Sequence, residues 1–196
     1  MLAALVLAFA ATTVKAQDSG WYLEGSVGFN NTKIDVGAPD DAKITSFYIL
    51  PTINYMLNSN WAIGLGIGYE YAKSNTDGDQ IFADDVKRNM FYVAPQVTHI
   101  VPLGDKFSYT PGLRIGFGFG KDKIGDAEND ITEIEAAISP LSFEFRPVSR
   151  WGINFSAGDL SYTYAKTKYD GGGDVKSNSF NFDFNVGATV GFRYYF

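Results

Sequence analysis

Phe180-Asn181-Phe182-Asp183-Phe184-Asn185-Val186-Gly187-Ala188-Thr189-Val190-Gly191-Phe192-Arg193-Tyr194-Tyr195-Phe196 ends the chain, and its period of two decides the fold. Every second residue from Phe180 to Phe196 is apolar or aromatic. The residues between are Asn, Asp, Gly, Thr, Arg and Tyr. Such alternation is a β-strand with one apolar and one polar face. Its seventeen residues exceed the roughly 9–11 that a tilted strand needs to cross hydrocarbon.

Seven further stretches repeat the pattern. Trp21, Leu23, Gly25, Val27 and Phe29 line the first apolar face, and Phe47, Ile49, Pro51, Ile53, Tyr55 and Leu57 the second. Trp61 to Tyr71, Phe91 to Val101 and Phe107 to Phe119 supply the next three at odd positions. The sixth and seventh each change phase once, across Ser139-Pro140 and Gly158-Asp159, as a β-bulge would make them do. Ile131, Ile134 and Ile138 also sit at helical spacing, so a helix before Ala136 competes there. Short gaps at Asn58–Asn60, Pro102–Asp105 and Pro147–Arg150 alternate with long ones at about Asn30–Ala42, Ser74–Val86, Lys121–Asp130 and Thr167–Lys176. The expected fold is all-β: an eight-stranded antiparallel up-and-down transmembrane β-barrel. Such barrels keep short turns and termini periplasmic and long loops extracellular.

The 196 residues suit one domain, expected over 17–196, after a signal peptide over 1–16. Leu2 to Ala11 is an apolar run of ten, too short for a membrane helix of roughly 20. Val14-Lys15-Ala16 supplies the small residues of a cleavage site, although no basic residue precedes Lys15. A buried N-terminal helix is the alternative. Without Lys15 the chain carries 15 basic and 22 acidic residues, which argues against nucleic acid as a partner. The absence of cysteine removes disulfides and thiolate metal sites.

The same alternation would suit a soluble cup with its apolar face around a ligand. Residue size argues against it. The polar face is rich in Gly, Ser, Thr and Asn, which fit a narrow lumen, and the apolar face carries no Asp, Glu, Lys or Arg on any strand. Aromatics gather at both strand ends, as two bilayer interfaces select. The ending Thr189 to Phe196 looks like the assembly signal of outer-membrane barrels: polar Thr189, then Gly191, then Tyr194 and Phe196 at alternate positions. The chain after Ala16 resembles the small outer membrane protein β-barrel domain family, porin-like and of OmpA/OmpX-type architecture. That resemblance implies the bacterial outer membrane, a setting of lipid and lipopolysaccharide, and recognition of the last strand by the barrel-assembly machinery. A monomer is expected, and the family names no surface partner.

No catalytic residue, cofactor or metal is expected. His99, the one histidine, falls on the apolar face beside a short turn, away from the outer leaflet. Asn75, Asp77 and Asp79 around Gly78 echo a calcium loop, but Val86 stands where its bidentate acid belongs. Phase aims Glu24, Glu70, Arg114, Glu144, Asp183 and Arg193 inward. These six are the expected interior charge network, with Glu24 paired to Arg193, and Arg114 shared by Glu70 and Glu144. Tyr22, Tyr48, Tyr92 and Tyr195 share that lumen, with room left by Gly66, Gly116 and Gly187. The functional expectation is an integral barrel acting through surface loops in envelope integrity, adhesion or partner binding; a narrow porin-like channel is the alternative. Ile81-Phe82 is the most apolar loop feature, either a contact point or a clasp between loops.

The terminal strand yields the first test. Deleting Phe196, or replacing both Tyr194 and Phe196 by Ser, should leave the protein in the periplasm to be degraded. Replacing the inward Tyr195 should matter less, because alternation aims it away from lipid. Outer-membrane fractions compared by immunoblot would check this; normal levels after the double change would contradict it.

Overall fold

The computed structural model describes residues 20–34, 42–76 and 86–196. The leader expected over 1–16 and the Ile81-Phe82 pair lie outside them. The alternating stretches form β1 (Trp21–Ile34), β2 (Ala42–Met56), β3 (Trp61–Thr76), β4 (Val86–His99), β5 (Val101–Pro102), β6 (Phe107–Tyr109), β7 (Gly112–Ile124), β8 (Ala127–Ser139), β9 (Ser142–Val148), β10 (Trp151–Lys168) and β11 (Asp174–Tyr195). All pairings are antiparallel, and β1-β2-β3-β4-β7-β8-β10-β11 returns to β1 as a ring of eight. Towards the short turns β5, β6 and β9 continue the staves begun by β4, β7 and β8.

Proline explains two of the three cuts between them. Pro111 has no N–H, so its stave steps aside while His99 N donates to Pro111 O at 2.9 Å and Thr110 N to Ser142 O at 2.7 Å. Pro140 marks the second cut, where Tyr109 donates its hydroxyl to the freed Pro140 carbonyl at 2.7 Å. Pro51 and Pro95 lie inside strands, and the ladders pass over them on one side only. Strand also wins over helix at 131–138, because β8 is paired on both sides there. The other phase change is the register irregularity between Ser156 and Gly158, opposite which residues 185–188 of β11 are surplus to the ladder.

Burial is inverted relative to a soluble domain. Phe29, Ile67 and Phe91 are 70%, 63% and 63% exposed, whereas Glu144 and Arg193 are 2% and 4% exposed. Apolar side chains outside and ionic ones inside are what a wall against hydrocarbon requires. Trp21–Tyr55, Trp61–His99 and Trp151–Tyr194 ring pairs, 4.3–4.9 Å apart, form a belt at the short-turn end. Tyr69 and Phe91 pack at 5.1 Å towards the other.

The long gaps need a correction. Where long loops were expected at 121–130 and 167–176, β7 and β8 run on to a turn at Gly125-Asp126, and β10 and β11 to one at 169–173. Gly125, Gly172 and Gly173 take positive φ there (59°, 90° and 89°), which glycine adopts without strain. Alternation vanished because both faces are polar beyond the membrane, while the ladder continues. Cross-strand pairs hold it: Arg88–Asp122, Lys121–Glu128, Lys166–Asp174 and Asn31–Thr45.

Interior glycines meet bulk at short range. A Cβ at Gly28 would enter the Tyr48 ring, one at Gly64 the Asn54 amide, and one at Gly152 the Glu144 carboxylate. Gly116 differs, since its nearest neighbour there, Glu135 Cβ, is at 3.7 Å. Gly152→Ala should therefore destabilise the barrel by about 1–3 kcal/mol through overpacking, and Gly116→Ala by much less. Urea midpoints in micelles would show it; equal shifts would refute the packing argument.

Candidate functional site

Alternation from Trp21 puts Tyr22, Glu24 and Ser26 on the inner face of β1, and alternation from Phe196 puts Tyr195 and Arg193 on that of β11. The β1–β11 register then sets Glu24 directly opposite Arg193. Arg193 Nε donates to Glu24 Oε2 at 2.5 Å, and its Nη1 to Glu144 Oε2 at 3.1 Å. Tyr195 donates its hydroxyl to Glu144 Oε1 at 2.7 Å. Gln96 Nε2 donates to Glu24 Oε1 at 2.5 Å and to Asn54 Oδ1 at 2.8 Å. Asn54 and Asn154 each add an amide donor to Glu24 at 3.3 Å. The Arg146 guanidinium caps the cluster, 3.6 Å from the Tyr195 ring centre. On the short-turn side lies an apolar plug of Tyr22, Ala62 and Ile100, with Met56 and Tyr195 against it.

Towards the long-loop end the lumen widens into a chamber of about 460 Å³, lined among others by Tyr48, Leu50, Tyr92, Arg114, Glu133 and Asp159. Arg114 Nη2 donates to Glu135 Oε1 at 2.7 Å. Tyr92 donates its hydroxyl to Glu70 at 3.2 Å, and Ser139 to Asp159 at 2.5 Å. Glu133 makes no hydrogen bond or ion pair among the described residues. Above it Arg88 clasps Asp122 through two bonds of 2.9 and 3.0 Å.

These positions correct part of the expected network. Arg114 is not shared by Glu70 and Glu144. It stands opposite Ala137 on β8, one inward step from Glu135, whereas Glu144 lies lower, opposite Asn154 on β9's partner, within reach of Arg193. The Asp183 side chain is outside the described set. Glu135, Asp122 and Arg88 were missed because they lie in stretches whose alternation is weak, while Asn54 and Gln96 carried a signal: both face Gly64 across β3. Of the room-making glycines, Gly66 lies close to Thr52 and Leu50, Gly116 is open, and Gly187 is outside the described side chains.

Of the terminal motif, Tyr194 packs edge-on against Phe196 at 5.3 Å and against Trp151 at 4.9 Å on the outer wall. Gly191 pairs with Asn154 and the Thr189 backbone with Ser156. His99 stacks on Trp61 at 4.3 Å. Among the described residues no group of three or more His, Asp or Glu is arranged to hold a metal ion.

An inside-out, eight-stave ring with an ionic lumen is now established, and a family model agrees with it. The model described as "Outer membrane protein beta-barrel domain" matches residues 1–196. The chain belongs to that family. It is an outer-membrane β-barrel. No curated protein matches it. Among solved structures it is similar to the translocator domain of autotransporter NalP from Neisseria meningitidis, at 9% identity and a TM-score of 0.48. That likeness covers 91% of this chain and 65% of the other.

The charge cluster of this outer-membrane barrel can be tested one partner at a time. Arg193→Met leaves Glu24 buried without a cation and Glu144 with Arg146 alone, at 3.5 Å, which should cost about 3–5 kcal/mol. Adding Glu24→Gln should restore most of that loss, since Glu144 keeps Arg146 and no buried carboxylate is left without a cation. Urea unfolding followed by tryptophan fluorescence would measure both, and an Arg193→Met barrel of unchanged stability would remove the cluster from any structural role.

Proposed function

We propose that this barrel is non-catalytic, shut along its axis to solutes, and acts at the cell surface through the strand extensions and loops of its long-loop end. On this reading the short turns and termini are periplasmic and the extensions extracellular. The chain works as a monomer among lipopolysaccharide, and the assembly machinery inserts it by way of the last strand. The observation that carries the proposal is the filled short-turn end. Tyr22 is fully buried, and above it the Glu24–Arg193–Glu144 cluster joins side chains from six strands across the lumen. Eight staves give a lumen that side chains can fill, which supports the reading for the short-turn end.

The extensions suit contact with partners, because their cross-strand pairs order them without burying them. Lys121 with Glu128 and Lys166 with Asp174 are all exposed, and Tyr162 donates to Asn178 at 2.7 Å. Ordered, solvated edges present polar groups at little entropic cost on binding. The direct test is conductance. Purified protein in planar bilayers should give no stable step, and a variant emptied at the plug (Tyr22→Ala with Tyr195→Ala) should give one. A reproducible step from the unaltered protein would establish the porin-like channel instead.

A further inference from the structure

One motif occurs twice on the outer wall. Tyr69-Glu70-Tyr71-Ala72-Lys73 on β3 and Tyr162-Thr163-Tyr164-Ala165-Lys166 on β10 share the pattern Tyr-x-Tyr-Ala-Lys. Their partner strands repeat as well. Phe91, Asn89 and Lys87 on β4 stand opposite Tyr69, Tyr71 and Lys73. Phe180, Asn178 and Lys176 on β11 stand opposite Tyr162, Tyr164 and Lys166. The contacts match too: Tyr69 donates its hydroxyl diagonally to Asn89 Oδ1 at 2.8 Å, and Tyr162 to Asn178 Oδ1 at 2.7 Å. In the ring of eight the β3–β4 and β10–β11 pairs lie four staves apart, on opposite sides of the barrel.

Both copies sit at the rim of the apolar band. Trp61 and Tyr71 are ten residues apart, and Trp151 and Tyr162 eleven, with the register irregularity at 156–158 between them. Ten residues at about 3.3 Å each, tilted about 40°, rise roughly 25 Å, the height of that band. The outward order above it is ring, amide, ammonium in both copies. There the lysines conflict. Residues directly opposite on antiparallel strands hold their Cβ atoms roughly 4.5–5.5 Å apart, and like charges at that spacing repel. Lys87 faces Lys73 on one side and Lys123 of β7 on the other. Lys166 faces Lys176, and Lys166 also reaches Asp174 at 2.8 Å. Lys87, Lys123 and Lys176 form no ion pair among the described residues. The acids that alternate with these residues turn the other way: Glu70 lines the lumen chamber, and Asp122 is clasped by Arg88.

We propose that each hairpin binds the phosphate monoester head of a membrane lipid, with the phosphate between the facing lysines and the acyl chains along the rings beneath. Asn89 and Asn178 take the tyrosine hydroxyls on their oxygens, which leaves their amide N–H groups as donors one step below the lysines. Two ammoniums and an amide suit a group with up to two charges and three acceptor oxygens. The rings argue for a lipid over a free anion, because one continuous surface takes both chains and head. Phe91 and Phe180, 63% and 67% exposed, supply that surface. The site deepens the surface reading above, and rests on it only for placing this lipid in the outer leaflet. The β3–β4 site is the tighter, since Lys123 adds to Lys87 whereas Asp174 competes for Lys166.

The test titrates the full barrel, in neutral detergent, with phosphatidic acid, phosphatidylglycerol (a diester of single charge) or phosphatidylcholine, and counts bound lipids by native mass spectrometry. Two phosphatidic acids should bind. They should do so at about tenfold lower concentration than phosphatidylglycerol, the size of one further partly screened charge contact, and phosphatidylcholine should not bind in that range. Lys87→Gln should remove the tighter lipid, Lys176→Gln the weaker, and the double change both. Lys87→Arg, and Lys106→Gln at a short turn, should keep two. Without lipid, neither Gln variant should lower the urea midpoint, as loss of a merely structural lysine would. Equal binding of all three lipids, or two phosphatidic acids on the double variant, would overturn the proposal. So would displacement by millimolar inorganic phosphate, which would make this a free-anion site. Labelling Asp126→Cys on whole cells with an impermeant maleimide tests the outward orientation separately. If that labelling fails while two phosphatidic acids bind, the lipid site stands and the surface reading falls.

Discussion

In hydrocarbon there is no water to satisfy a strand's N–H and C=O groups, so a membrane sheet must close on itself. In this chain closure rests on residues from opposite ends of the sequence, Glu24 and Arg193. The backbone seam beside them spans four register pairs, against fourteen between β1 and β2. What the seam lacks in ladder it has in side chains. Glu24 accepts from Asn54 on β2, Gln96 on β4, Asn154 on β10 and Arg193 on β11, and Arg193 reaches on to Glu144 on β9. A single carboxylate and a single guanidinium thus tie together staves that are not neighbours in the ring. Every other feature of the lumen is arranged around that knot.

Its ionic character follows from the wall. The outward face must be apolar to meet lipid, so an apolar inner face as well would make each strand a continuous apolar run, the signal of a helical span rather than of a barrel stave. Alternation avoids that, and it commits the lumen to polar side chains. Polar groups in a narrow lumen then need partners, because an unpaired buried charge costs more than the pair contributes. Short inward residues make the partners fit: Gly64 admits the Asn54 amide and Gly152 the Glu144 carboxylate. The aromatic belt, the glycines and the ion pairs are thus consequences of a single rule, polarity reversed across a wall one residue thick.

That rule is also why the fold was legible in the sequence and the lumen only partly so. Period-two apolarity marks a strand wherever one face meets lipid, and the eight staves, both phase changes and the pairing level of Glu24 with Arg193 could be read from it. The same signal dies where both faces are wet. The pattern therefore ends β7 early and starts β8 late, and it does not mark Arg88 and Asp122, which clasp across the extensions, as interior partners. Within the wall, phase gives the face of a residue but not its height. Phase alone therefore matches Arg114 to Glu144. Height depends on the stagger between neighbouring strands, and the stagger puts Arg114 beside Glu135 and leaves Glu144 to Arg193. Proline adds a further displacement, since Pro111 and Pro140 shift their staves sideways by interrupting ladders whose length the sequence alone does not reveal.

The knot at the short-turn end and the parted edges beyond it belong to the same distribution of forces. Side chains from β1, β2, β4, β9, β10 and β11 converge on Glu24, Arg193 and Glu144, and an apolar cluster of Tyr22, Ala62 and Ile100 packs beneath them. Farther along, β11 follows β10 into a long hairpin whose partners lie on β8's side of the ring, while β1 follows β2 and β3. Nothing among the described side chains pulls those two halves together above Ser26. Cooperative stability is accordingly concentrated where the chain ends meet. The strong contacts lie low in the lumen, and the acidic chamber lies above them, where the β1–β11 ladder has already ended.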